Sequence, residues 1–131
     1  MKIALMILML TVSAISVAQQ TIFSVMKGSE NLGDREFEKG EFNKAVEYYR
    51  SSLNKDPNNI QVLSKLAQAY SLLKDHRNCI ATLNILASKG KTLTENEMFS
   101  YAESQSATGN YPVAIAYYKK CLEHDEQNAL I

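Results

Sequence analysis

The sequence predicts an all-α solenoid built from three helix-turn-helix units. Three observations carry this. The chain is similar to itself at a step of 34 and then 35 residues. Within each unit the apolar residues recur at helical spacing. Turn signals at Gly40, Pro57 and Gly109 fall between these stretches. Composition agrees. Of 131 residues, 46% are hydrophobic and 21% charged, with 5 Gly and 2 Pro, which fits a helical globular chain better than a turn-rich β-sandwich.

Residues 1–18 come first in order. Met1-Lys2 is a short positive start, Ile3 to Val12 is apolar apart from Thr11, and Ser16-Val17-Ala18 follows the small-x-small pattern of a cleavage point. This reads as a secretory signal peptide cut after Ala18. The apolar stretch to Val17, interrupted by Ser13 and Ser16, is short for the ~30 Å of a bilayer core, so no stable membrane span is expected. Residues 19–26 form a lead-in. The expected mature chain, Gln19 to Ile131, has 113 residues, with 13 basic and 14 acidic side chains once Lys2 is gone.

The repeats then set the helices. Leu32-Gly33, Gly40, Ala45-Val46, Tyr49 and Leu53 match Leu66-Ala67, Lys74, Cys79-Ile80, Leu83 and Ala87. The third row is Tyr101-Ala102, Gly109, Ala114-Ile115, Tyr118 and Leu122. The stripe Ala45, Val46, Tyr49, Ser52, Leu53 has the i, i+1, i+4, i+7, i+8 spacing of a helix face. Gly40 and Gly109 mark turns, and Pro57 ends the helix before it. Helices are expected at about 27–39, 43–55, 60–73, 77–89, 95–108 and 111–124. The units run about 26–59, 60–94 and 95–128, and residues 129–131 are expected to begin a truncated or capping helix.

The segment Leu32-Gly33-x6-Gly40-x-Phe42-x2-Ala45-Val46-x-Tyr48-Tyr49-x3-Leu53-x2-Asp56-Pro57-Asn58-Asn59 resembles a tetratricopeptide repeat (TPR). So does Gly109-Asn110-Tyr111-x2-Ala114-Ile115-x-Tyr117-Tyr118-x3-Leu122. The middle unit departs from the pattern, with Lys74 for the turn Gly, His76 for the aromatic and Cys79 for the Ala. The resemblance implies a right-handed superhelix whose concave face is lined by the first helix of each unit. Gly33, Ala67 and Ala102 would let paired helices approach, while Tyr49, Leu83 and Tyr118 fill the gap to the next pair. The start of the chain and its Ala-Gln-Gln junction also resemble Bacteroidota envelope proteins, and Phe37-Glu38-Lys39-Gly40-Glu41-Phe42 is similar to their N-terminal TPR regions.

Chemistry is sparse. Fourteen Lys+Arg against fourteen Asp+Glu give no basic surplus, so no nucleic-acid partner is expected. No phosphate loop, nucleophile elbow or zinc-protease motif occurs. His76-x2-Cys79 and Cys121-x2-His124 are the one candidate metal set. Equivalent helices lie ~10 Å apart, and seven residues of offset add about 10 Å along the axis. The pairs are therefore expected to be too far apart for one zinc ion or for a Cys79–Cys121 disulfide. The expected reading is non-enzymatic, with no metal and no cofactor.

Carried over from the family, the groove lining would be Lys27, Glu30, Asp34, Phe37 and Glu38 from the first unit. The second unit gives Gln61, Ser64, Gln68, Ser71 and Leu72, and the third gives Asn96, Phe99, Glu103, Ser106 and Ala107. One TPR subclass grips a terminal carboxylate with Lys, Asn and Arg. The matching positions here carry Glu30, Asp34, Lys65, Asn96 and Ser100, so that clamp is absent. Glu30, Asp34, Glu38 and Glu103 against Lys27 suggest an acidic groove, hence a peptide with Lys or Arg beside apolar anchors. Ile115, Tyr118 and Leu122 would face outward at the C-terminal end and invite self-association or partner docking. The expected function is a secreted scaffold binding protein or peptide in the periplasm or envelope of a bacterium. The alternative is an accessory subunit of an envelope enzyme, transport or secretion complex that presents a substrate or glycan.

Overall fold

A computed structural model describes the backbone of residues 1–129, and the side chains among them except at positions 10, 22, 23, 25 and 26. Six helices follow one another: α1 (Lys2–Glu38), α2 (Phe42–Lys55), α3 (Ile60–Leu72), α4 (His76–Ser88), α5 (Glu95–Ala107) and α6 (Tyr111–Ala129). No strand occurs among the described residues. Each helix packs on its neighbour in sequence, and α3 also meets α5. The molecule is an all-α solenoid of helix-turn-helix repeats.

Local chemistry explains the boundaries. Asn59 caps α3 by accepting from Val62 N at 3.2 Å, and Asp75 caps α4 from Asn78 N at 3.3 Å. Thr94 and Glu97 form a reciprocal capping box at the start of α5, with bonds of 3.3 and 2.9 Å. The three turns that join helices within a unit close in the same way. Glu41 N donates to Glu36 O, Asp75 N to Tyr70 O and Asn110 N to Gln105 O, at 2.9, 3.0 and 2.8 Å. These are Schellman closures, which need a positive φ at the residue before the donor. Gly40 (φ 77°) and Gly109 (φ 86°) supply it, and in the middle unit Lys74 takes φ 57°.

Two helix bounds differ from the expected ones. The first helix begins at Lys2 rather than near residue 27, so α1 takes in residues 2–26 as well. Neither Gly nor Pro interrupts the chain before Gly28, and nothing there stops helix propagation. Its Lys2–Thr21 stretch, 20 residues with no buried share, is long and apolar enough to cross a membrane, a test that a signal sequence also passes. At 1.5 Å per residue it reaches ~30 Å, so shortness does not exclude a span. At the other end α6 runs through Glu126-Gln127-Asn128 to Ala129. No Pro follows Asp125 as Pro57 follows Asp56, so the helix does not break there. Residues 130–131 lie outside the described residues.

The core sits in the first two units. Ala45, Val46 and Tyr49 of α2 join Val62, Leu63, Leu66, Ala67, Ala69 and Tyr70 of α3 and Cys79, Leu83 and Leu86 of α4. The last unit buries only small residues and amides, among them Ala102, Ala114, Cys121 and Gln105. Its large apolar side chains stay out: Ile115 is 54% exposed and Leu122 63%. Tyr118 is half-buried rather than a filled gap, edge-on to Phe99 at 5.7 Å between ring centres.

Candidate peptide-binding cleft

The first helices of the second and third units, α3 and α5, enclose a cleft of about 380 Å³. Helical spacing aims Ser64, Gln68, Ser71 and Leu72 of α3 into it, with Gln68 four residues after Ser64 and four before Leu72. Thr94, Asn96, Glu97, Phe99 and Ser100 come from the α5 side, and the buried Leu83 and Ala67 form part of the wall. The cleft falls in the range of small-ligand and peptide sites.

Cross-repeat bonds shape its edges. Lys65 reaches back to α1, where Nζ donates to Glu30 Oε1 at 2.7 Å and to Asp34 Oδ2 at 2.8 Å. Asp34 also accepts from Tyr49 Oη at 2.8 Å. Burial works against the Lys65 charge, but the Asp34 and Glu30 bonds outweigh it and raise the ammonium's pKa. Burial, and then the Asp34 bond, raises the Tyr49 phenol. On the other edge, Lys91 Nζ donates to Glu97 Oε1 at 2.7 Å and to Ser64 Oγ at 2.6 Å. Ser64 Oγ donates to the same carboxylate at 2.6 Å. Burial alone would raise Glu97, but the bonds from Lys91, Ser64 and Thr94 lower its pKa. Ser71 Oγ donates to Ser100 Oγ at 3.2 Å across the floor, and Lys74 reaches Glu103 at 2.8 Å beyond it.

The structure separates the expected lining residues. Ser64, Gln68, Leu72, Asn96 and Phe99 share the cleft, whereas Lys27, Glu30, Asp34, Phe37 and Glu38 of α1 do not line it, nor do Gln61 and Glu103. Phe37 is not an exposed anchor: it packs on the core and stands edge-on to Phe42 at 5.1 Å. The acidic character read from Glu30, Asp34 and Glu103 is partly offset, since Lys65 serves the first two and Lys74 the third. Glu38 and Lys27 remain exposed on α1. Lys65 and Glu97 join the wall beyond the expected set. Lys65 lies four residues after Gln61 and three before Gln68, so the spacing of α3 already placed it on this face.

The two His/Cys pairs have separate partners. His76 Nδ1 lies 3.2 Å from Ser104 Oγ, and His124 Nδ1 lies 3.1 Å from Glu95 Oε2. Cys79 and Cys121 are free and buried, donating to Ala67 O at 3.7 Å and Glu95 O at 3.8 Å. Burial raises both thiols.

Family models agree with the repeat frame: a TPR repeat matches residues 33–74 and a tetratricopeptide repeat matches residues 98–128. No curated protein matches the chain by sequence. Among solved structures, the MamA protein superposes with a TM-score of 0.67 at 21% identity, over 75% of this chain and 53% of that one. MamA AMB-1 gives 0.68 at 22%, over 81% and 60%. The N-terminal domain of stress-induced protein-1 (STI-1) from C. elegans gives 0.65 at 18%, over 78% and 85%. The chain thus spans between half and two-thirds of the MamA structures, and at these identities the likeness concerns the fold. With two repeat models in register with α1–α3 and α5–α6, the chain belongs to the tetratricopeptide-repeat family.

Proposed function

We propose that this protein is a non-enzymatic scaffold that holds a peptide segment of a partner protein in the α3–α5 cleft, and that it works after export, in the envelope of a bacterium. One observation carries the binding role. Within a face whose charged groups are mostly paired internally, Gln68, Leu72, Asn96 and Phe99 converge on one cleft, and Leu72 and Phe99 are about half exposed at 49% and 52%. Two large apolar groups held open beside free carboxamides match the apolar centre and polar rim of a binding patch. Export rests on Lys2, the apolar run and Ser16-Val17-Ala18 in the sequence.

The test is capture of partners by the full chain from envelope extract, in parallel for the native protein and Phe99→Ala. The expected result is a small set of proteins retained by the first and lost by the second. Equal retention by both removes the cleft from the proposal. N-terminal sequencing of exported material is expected to begin at Gln19, and recovery of Met1 in the membrane fraction overturns cleavage.

A further inference from the structure

Building on that binding role, we infer that the α3–α5 cleft recognises an uncharged stretch of polypeptide, with one apolar side chain seated between Leu72 and Phe99 and its backbone amides bonded to Gln68 and Asn96. The charges at the cleft edges are already committed. Lys65 on one edge is bound to Glu30 and Asp34 at 2.7 and 2.8 Å, and Glu97 on the other to Lys91 at 2.7 Å. The second pair is well shielded, with side-chain exposures of 23% for Lys91 and 13% for Glu97. A ligand carboxylate that drew Lys65 or Lys91 away would leave acids without a countercharge, and a ligand cation that drew Glu97 away would strand Lys91. Breaking one partner out of a shielded pair costs more than the new contact returns.

Between these edges the wall is neutral. Ser71 Oγ donates to Ser100 Oγ at 3.2 Å, and the Ser100 O–H is left as a further neutral donor. Among the described residues, the Gln68 and Asn96 carboxamides have no side-chain bond within the chain. Each offers a donor and an acceptor on one planar group, the complement of a peptide N–H and C=O. The exposed edges of Leu72 and Phe99 have no polar demand and suit an aliphatic or aromatic side chain. A neutral cleft between paired charges favours a neutral ligand, because any net charge entering it loses hydration without gaining a free counterion.

The test selects phage-displayed random peptides of about twelve residues on the full chain held in mild detergent. Synthetic copies of the consensus are then titrated at ~0.1 M and ~1 M salt, where the Debye length falls from ~10 to ~3 Å. The expected consensus has an uncharged core with one Leu, Ile, Met or Phe, and its affinity changes less than about twofold with salt. Leu72→Ala and Phe99→Ala are each expected to weaken it by about tenfold or more, and Gln68→Ala with Asn96→Ala by a similar factor. All of these side chains border the open cleft, so circular dichroism is expected to show the fold unchanged. A consensus with a fixed Lys, Arg, Asp or Glu, still sensitive to Leu72→Ala but losing about tenfold in affinity with salt, overturns this inference and leaves the cleft's binding role standing. Failure to select any peptide, or peptides indifferent to all of these variants, overturns both.

Discussion

Gly33 on α1 and the Tyr49 ring on α2 occupy the same space: a Cβ at position 33 would lie 2.5 Å from Tyr49 Cε1 and 2.6 Å from Cδ1. The ring cannot retreat easily, because Tyr49 is almost fully buried and its hydroxyl is fixed on Asp34 at 2.8 Å. Asp34 is in turn held by Lys65, so the packing of the first helix pair and the edge of the cleft share one chain of contacts.

Gly33→Ala is therefore expected to destabilise the protein even though alanine is the better helix former. The propensity gain is about 1 kcal/mol. Overpacking a fixed ring costs about 1–3 kcal/mol. A net loss of about 1 kcal/mol is expected, read as a drop of several degrees in thermal unfolding. Tyr49→Leu removes the obstructing ring, so the double variant is expected to lose less than the sum of the two single changes. Strict additivity would show that the two residues do not compete for this space.

Lys74 holds φ 57° in a turn whose counterparts are Gly40 and Gly109. The left-handed region costs a residue with a Cβ about 1–2 kcal/mol. Its ion pair with Glu103, at side-chain exposures of 62% and 36%, is a surface pair of about 0–1 kcal/mol. Lys74→Gly is expected to stabilise by about 0.5–1 kcal/mol, the relief of strain exceeding the lost pair. Lys74→Ala loses the pair and keeps the strain, so it is expected to be less stable than the native chain. Chemical denaturation of the three proteins side by side checks the order.

These two sites also show what the sequence disclosed. The turn positions were legible because a backbone need maps onto one residue type, and Lys74 stood out where glycine belongs. The starts of α3 and α5 were legible from the repeat spacing, and Asn59 and Thr94 fix them there by accepting from donors three residues on. The start of α1 was not, because its unbroken apolar run has no periodicity to mark a helix and carries the pattern of an export signal. Pairings across the concave face were hidden for a different reason. Lys65 meets acids 35 and 31 residues earlier, and Ser64 meets one 33 residues later. Periodicity assigns a side chain to a face but not to a partner in the next repeat. Four acids therefore read as free charge, although three of them are ion-paired, Glu30 and Asp34 with the one Lys65 and Glu103 with Lys74.

Glu97 gives the pH dependence. Its folded pKa lies below the ordinary 4.5 because Lys91, Ser64 and Thr94 bond the carboxylate more strongly than burial penalises it. A lowered carboxylate stabilises the fold above its unfolded pKa, and that contribution is lost as pH falls through the folded value. Stability is thus expected to be level near neutrality and to fall below about pH 4.5. Glu97→Gln is expected to be less stable at pH 7 by about 1–3 kcal/mol, since it leaves Lys91 shielded without a countercharge. Its loss on acidification is expected to be shallower than that of the native protein. Parallel acid limbs in urea unfolding at several pH values would assign the dependence to other carboxylates.

Equivalent positions at the two ends of the solenoid differ in burial. Val46 on α2 and Ile115 on α6 occupy the same place in the first and third repeats, yet Val46 is 8% exposed and Ile115 54%. The neighbouring helix makes the difference: α3 covers the outer face of α2, while among the described residues no helix covers that of α6. Val46→Ala is expected to cost about 1–2 kcal/mol through lost burial and a cavity in the core it shares with Leu63 and Leu66. Ile115→Ser with Leu122→Ser is expected to change monomer stability by no more than about 0.5 kcal/mol per site, because water already reaches both side chains. The pair is expected to matter for association instead. Tyr111, Ile115 and Leu122 form exposed apolar surface on one helix, the kind of area that self-associates or takes a partner. Sedimentation of the full chain in detergent is expected to show concentration-dependent association that the double serine variant reduces, with its unfolding midpoint nearly unchanged. Identical, concentration-independent sedimentation of both proteins would make this end of the solenoid ordinary solvated surface. A large loss of stability in the double variant would instead mean that the two side chains are packed within the monomer.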